Sequence, residues 1–141
     1  VYQYFYSETM PDDGGGRLNV ASHYLVDRDG TIYQLTPETA LNRHAIGYNW
    51  CAIGIENVGG VDGKEDLTEA QVKANIAIIR YLQAKYPTIK YVWGHYQQHE
   101  AASSGLFIEK VPDYYAEKID PGPVFMGKLK QGLSNLNLKF Y

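Results

Sequence analysis

The strongest constraint on the fold is a helix whose two ends are written in the sequence. Thr68-Glu69-Ala70-Gln71 has the residues of a capping box, in which the Thr hydroxyl and the Gln side chain satisfy opposite orphan backbone amides at a helix start. Val72, Ile76, Ile79 and Leu82 then recur at helical spacing and form a packed face that leaves out Lys73 and Arg80. Pro87 cannot continue a helix and ends this one near Tyr86.

Strand-like runs lie on either side. Val20–Asp27 and Thr31–Leu35 are rich in β-branched and aromatic residues and flank Arg28-Asp29-Gly30, whose Asp-Gly pair predicts a tight β-hairpin. Ala52–Val58 is a short apolar run closed by Gly59-Gly60, and Ile89–Gly94 reads as another strand. Pro121-Gly122-Pro123 opens a final short helix reaching Leu133. Strands, a long helix, a strand and a helix make a mixed α/β domain. The aromatic stretch Val1–Tyr6 has the character of a helix or strand end and runs into a loop at Pro11–Gly16. Residues 97–118 are loop-like, broken by Ser103-Ser104-Gly105 and Pro112, and a loop of that length is more often functional than idle.

A chain of 141 residues fits one domain. A formal charge of -3 and a pI near 5.8 give no basic field for nucleic acid. Thirteen Tyr, two Trp and four Phe supply aromatic area with polar tips, which suits sugars and peptides as well as a core. The single Cys51 cannot form an intramolecular disulfide. No run approaches the roughly 18 apolar residues of a membrane span, and no basic-then-apolar leader pattern opens the chain, whose first residue is Val1.

Few residues combine reactive chemistry with a constrained position. His95 directly follows Tyr91-Val92-Trp93-Gly94, where a strand fixes an imidazole and a loop leaves it reachable; a lone histidine there is equally at home as a hydrogen-bonded structural group. Asp120 lies in Lys118-Ile119-Asp120-Pro121-Gly122-Pro123, held at a helix entrance by a stiff backbone, with an N-cap as its plainer role. Glu56 stands inside the apolar strand, where a carboxylate costs several kcal/mol unless paired or raised in pKa; facing solvent at a strand end is the alternative. His44 and Trp50, in the irregular segment before that strand, are placed to line a cleft. His23, inside the hairpin, reads as structural, and His95 with His99 has only a weak helix-type metal spacing.

Five stretches in order then resemble the type 2 N-acetylmuramoyl-L-alanine amidases, which share a fold with peptidoglycan recognition proteins and some phage lysins. They are residues 21–35 (ASHYLVDRDGTIYQL), Arg43-His44-Ala45, Ile53-Gly54-Ile55-Glu56, Gly94-His95 and Lys118–Pro123. The resemblance implies an α/β fold with a mixed central β-sheet flanked by α-helices, and a bacterial cell-wall hydrolase that cuts the amide between N-acetylmuramic acid and L-alanine in peptidoglycan or muropeptides. It implies a zinc ion held by two His and one Asp, with His95 and Asp120 matching two of the three. Glu56 matches the catalytic acid and Lys118 the catalytic lysine, while His44 looks like a substrate-cleft residue.

The family's remaining ligand is a histidine on an N-terminal strand, and no histidine precedes His23. The expectation is therefore a single amidase domain over residues 1–141 that lacks this strand, with residues 1–19 a loop or helix remnant and 20–134 the catalytic core. Substitution by His23 or His99, or a degenerate metal site, are the alternatives. The loop from His95 to Asp120 is also longer than in compact members. A monomer acting in the cell envelope or after secretion is expected, with no transmembrane segment. The rival function is a non-catalytic peptidoglycan-binding module in which Tyr48 and Trp50 hold the glycan or stem peptide.

Overall fold

The structure is a computed structural model that describes residues 10–11, 17–18, 20–114 and 116–141. The aromatic stretch Val1–Tyr6 and most of the loop expected at 11–16 lie outside those residues. Met10–Pro11 (β1) and Arg17–Leu18 (β2) pair antiparallel.

The expected hairpin is present as Tyr24–Val26 (β3) and Ile32–Gln34 (β4), antiparallel with Leu25 opposite Tyr33. Gly30 makes the turn possible, because its φ of 88° belongs to the left-handed region that side chains disfavour. Asp29 tightens the turn by accepting from the Thr31 amide at 2.8 Å. Ile55–Asn57 (β5) lies parallel on the other side of β3, with Leu25 opposite Glu56. The result is a mixed three-stranded sheet in the order β4-β3-β5.

The long helix, Glu69–Lys85 (α1), begins at an intact capping box on Thr68 and Gln71. Its buried surface is wider than the sequence spacing implies: Gln71, Val72, Ala74, Asn75, Ile78, Ile79 and Leu82 are all buried, whereas Ile76 is only partly so. The reason is that α1 is covered twice. Ala74, Ile78 and Leu82 pack against Tyr24 and Val26 of β3, while Val72 and Ile79 pack against Phe125, Met126 and Leu129 of the second helix, Pro123–Gly132 (α2). Gln71 ties sheet to helix, its Nε2 donating to the Val26 and Val58 carbonyls at 3.2 and 2.9 Å.

The strand expected at 89–94 is reduced to Tyr91–Val92 (β6), which pairs in parallel with Lys139–Phe140 (β7). Among the described residues, β5 and β6 belong to separate sheets, and a cavity of about 650 Å³ opens between them. No helix among the described residues is long and apolar enough to cross a membrane.

Candidate active site

Alternation along β5 decides which groups reach that cavity. Asn57 turns toward α1, where its Oδ1 accepts from Asn75 at 2.7 Å, and Ile55 joins the apolar clusters on the same helix. The intervening Glu56 therefore projects from the opposite face of the sheet. His95 enters from the end of β6, in a short 3-10 turn at His95–Gln97, and Asp120 from the residue before Pro121-Gly122 at the mouth of α2. Gly94 lets these two ends close on each other: a Cβ there would stand 2.9 Å from the Pro121 ring. The Tyr96 amide donates to the Asp120 carbonyl at 2.9 Å and locks the approach.

The outcome is that His95 Nδ1 lies 3.4 Å from Asp120 Oδ2, and Glu56, His95 and Asp120 all line the same cavity. Their electrostatics are coupled. Burial, and then the nearby Asp120 charge, push the Glu56 carboxyl up to about 7, although His95, the Asn57 amide and Lys118 pull the other way. Burial also opposes ionisation of Asp120, but the hydrogen bond and charge of His95, and less so the charge of Lys118, outweigh it and hold that carboxyl below its ordinary value. One carboxylate thus stays charged beside an imidazole while the other is poised to exchange a proton near neutrality.

An imidazole nitrogen and a carboxylate oxygen meeting at one point are the borderline N and O donors that zinc takes, so His95 and Asp120 have the chemistry to hold it. Among the described residues no third His, Cys, Asp or Glu joins them in a group able to hold a metal. His23 is not such a donor. It is fully buried, its Nε2 donates to the Ala40 carbonyl at 2.9 Å, and its Nδ1 accepts from the Gly54 amide at 3.0 Å, so both ring nitrogens are engaged. His99 is exposed and stands away from the cavity lining, at the entrance to a second 3-10 turn at Glu100–Ser104. His44 lines the cavity, its ring edge-on to His23 at 5.3 Å and its Nε2 donating to the Ala52 carbonyl. Burial, followed by the neighbouring His23, drives its pKa down to about 4, so it is neutral at physiological pH.

Trp50 lies at the cavity rim, half-exposed, with its ring nitrogen donating to the Leu106 carbonyl at 3.2 Å. Tyr48, grouped with Trp50 as a cleft aromatic by sequence, also lines the cavity but is only 2% exposed: its ring packs on Trp93 and its hydroxyl donates to the Gln98 carbonyl, so it is a fixed part of the wall. Sequence reading missed the wall's other half. Residues 104–108 of the long loop fold onto 47–50, the Ile108 amide donating to the Gly47 carbonyl at 2.9 Å and Leu106 facing the cavity. The signal was present in Leu106-Phe107-Ile108, an apolar triplet inside a polar loop.

Residues 3–123 match the family model described as N-acetylmuramoyl-L-alanine amidase. The endolysin of Escherichia phage T7 is 39% identical over 75 residues, and that of Enterobacteria phage K11 is 33% identical over 76. Each alignment covers about half of this chain, and the chain spans about half the length of these curated relatives. The solved structure of the N-acetylmuramoyl-L-alanine amidase LysC from Clostridium intestinale URNW superposes with a TM-score of 0.57 at 27% identity, over 87% of this chain and 68% of that one.

Proposed function

The chain belongs to the N-acetylmuramoyl-L-alanine amidase family, and from that premise we propose that it hydrolyses the amide joining N-acetylmuramic acid to L-alanine in peptidoglycan, with zinc as cofactor. Residues 20–134 act as one catalytic core. The observation that carries this reading is the meeting of Glu56, raised to about 7, with the His95–Asp120 pair in one cavity.

His95 and Asp120 would hold the zinc, which when bound supplies Lewis acidity and acidifies water. Glu56 acts as general base and then general acid. It accepts a proton from the attacking water as the oxygen adds to the lactyl carbonyl carbon, and it delivers that proton to the alanine nitrogen as the C–N bond breaks. The products are a lactyl carboxylate and a free α-amine. Lys118, whose charge is felt at both Glu56 and Asp120, stabilises the oxyanion on the carbonyl carbon. His44 and Trp50 bound the substrate cleft. The endolysins to which the chain is similar support an action on the cell envelope.

Incubation with purified peptidoglycan tests this. Free α-amino groups of alanine are expected to appear, and chelator is expected to stop their release and added zinc to restore it. His95→Ala and Asp120→Asn are expected to lower zinc content and turnover together. Release of reducing sugar ends without amines, or turnover indifferent to chelator, would overturn the proposal. A peptidoglycan-binding module is the competing reading, favoured by the fact that only two metal donors meet among the described residues. Binding to the wall without amine release, in protein supplied with zinc, would establish it.

A further inference from the structure

The wall built by residues 47–50 and the strap at 104–108 is more elaborate than closing a cavity requires. Gly47 adopts a φ of 76° and lies so close under Phe107 that a Cβ would stand 2.4 Å from the ring. Phe107 packs edge-on against the buried Tyr48 ring at 5.5 Å, and the Trp50 nitrogen is tied to the strap through Leu106. These contacts fix the indole in place, yet 51% of Trp50 remains exposed, beside a 43% exposed Phe107 and a 52% exposed Ile108. A large apolar side chain whose polar atom is satisfied and whose orientation is fixed, left open at the rim of a cleft, has the form of a binding platform.

The charge of the wall selects among occupants. Residues 47–50 and 104–108 contain no Asp, Glu, Lys or Arg, so the contact face of the platform is itself uncharged, with Lys90 of the same cavity and Arg43 and Lys110 lying outside it. A neutral N-acetylated sugar requires no charge there. Its pyranose ring presents C–H groups to an aromatic face and its acetamido methyl groups present apolar surface, both of which Trp50 and Phe107 can cover.

We propose that Trp50, held by the 104–108 strap and flanked by Phe107, is a saccharide subsite that grips the glycan strand beyond the muramoyl residue carrying the cleaved amide. The proposal deepens the amidase reading, on which it rests for the identity of the polymer. It assigns the long loop between His95 and Asp120 a role in selecting polymeric over single-sugar substrates.

Calorimetric titration of the full chain with a peptide-free, β-1,4-linked N-acetylhexosamine oligomer tests this without requiring turnover. Wild-type protein is expected to bind, Trp50→Ala to weaken affinity about tenfold, and Trp50→Tyr to recover most of it. Phe107→Ala, which loosens the strap without touching Trp50, is expected to weaken binding by a smaller factor. Thermal melting of each variant separates loss of the platform from loss of the fold, and Trp50→Tyr, which keeps a ring at the rim, is the variant to read if Trp50→Ala fails to fold. Equal affinity in wild type and Trp50→Ala, or no binding by wild type, would overturn the proposal, as would Trp50-dependent binding to phosphatidylglycerol vesicles in place of the oligomer. In turnover assays Trp50→Ala is expected to raise KM for polymeric peptidoglycan more than for a muramoyl peptide with one sugar, and equal increases would also overturn it. Oligomer binding without amine release would count against the amidase reading while leaving the subsite standing.

Discussion

Replacing Glu56 by Gln is expected to stabilise the metal-free protein at alkaline pH while abolishing hydrolysis. The Glu56 carboxyl rises from 4.5 to about 7 on folding, because burial and the Asp120 charge both disfavour its ionised form. Below pH 4.5 the folded and unfolded chains are both protonated there, and the group has no effect on stability beyond that of a neutral side chain. Between 4.5 and 7 the unfolded chain releases the proton and the folded chain keeps it, so stability falls as pH rises, and above 7 the whole penalty applies. At about 1.4 kcal/mol per pH unit the penalty is about 3 kcal/mol, a sizeable part of the net stability of a domain this size. Glu56→Gln keeps the shape and removes the titration. Urea unfolding of both proteins in chelator, at about pH 4.5 and about pH 8, is expected to show the advantage of the variant growing by about 3 kcal/mol between the two conditions. Other titrating groups largely cancel in that difference. In zinc-loaded protein the same variant is expected to lose at least about a hundredfold in kcat, the usual scale for a general base. An advantage of equal size at both pH values refutes the raised pKa, and retained turnover refutes the role.

Two further substitutions probe the scaffold. Gln71→Ala removes the partners of the Val58 carbonyl and of the Thr68 amide and one of the two donors to the Val26 carbonyl, which keeps the Val58 amide, and is expected to lower stability by about 2 kcal/mol in urea unfolding; a loss under about 0.5 kcal/mol would show that those groups find other partners. His44 carries the opposite pH signature to Glu56. Its pKa falls from 6.5 to about 4 on folding, so the stability it contributes is complete above 6.5 and is lost as pH drops toward 4. His44→Gln is expected to flatten acid unfolding in that window, and an unchanged acid profile would show that the ring does not titrate as its burial implies.

Much of the scaffold was legible because its signals are local. The capping box, Pro87, the Asp-Gly turn and Pro123 at the first position of α2 each act within a few residues, and each marks an element where expected. What escaped depends on neighbours distant in sequence. α1 buries polar Gln71 and Asn75 as well as apolar residues, because sheet and second helix cover it from two sides, Gln71 donates to the Val26 and Val58 carbonyls and Asn75 donates to Asn57 of β5. β6 and β7 are two-residue strands, too short for alternation to register. For the site, Glu56 stood out as an acid in an apolar strand, and the structure places it with His95 and Asp120. The apolar triplet of the strap was visible, but its partner was not, because the wall is created by packing Phe107, from a loop without periodicity, onto Gly47 and Tyr48, about sixty positions earlier in the chain.

The cavity that holds Glu56 also reaches Phe125, Met126 and Leu129, the residues that cement α1 to α2. The floor of the cavity is therefore the hydrophobic interior itself. Engineering this protein for heat resistance by enlarging side chains to fill the vacant volume would raise the floor beneath Glu56, His95 and Asp120, trading durability against the function proposed for them. Reinforcement is better directed to the surface and to the far side of α1, where packing can be altered without reshaping the chamber.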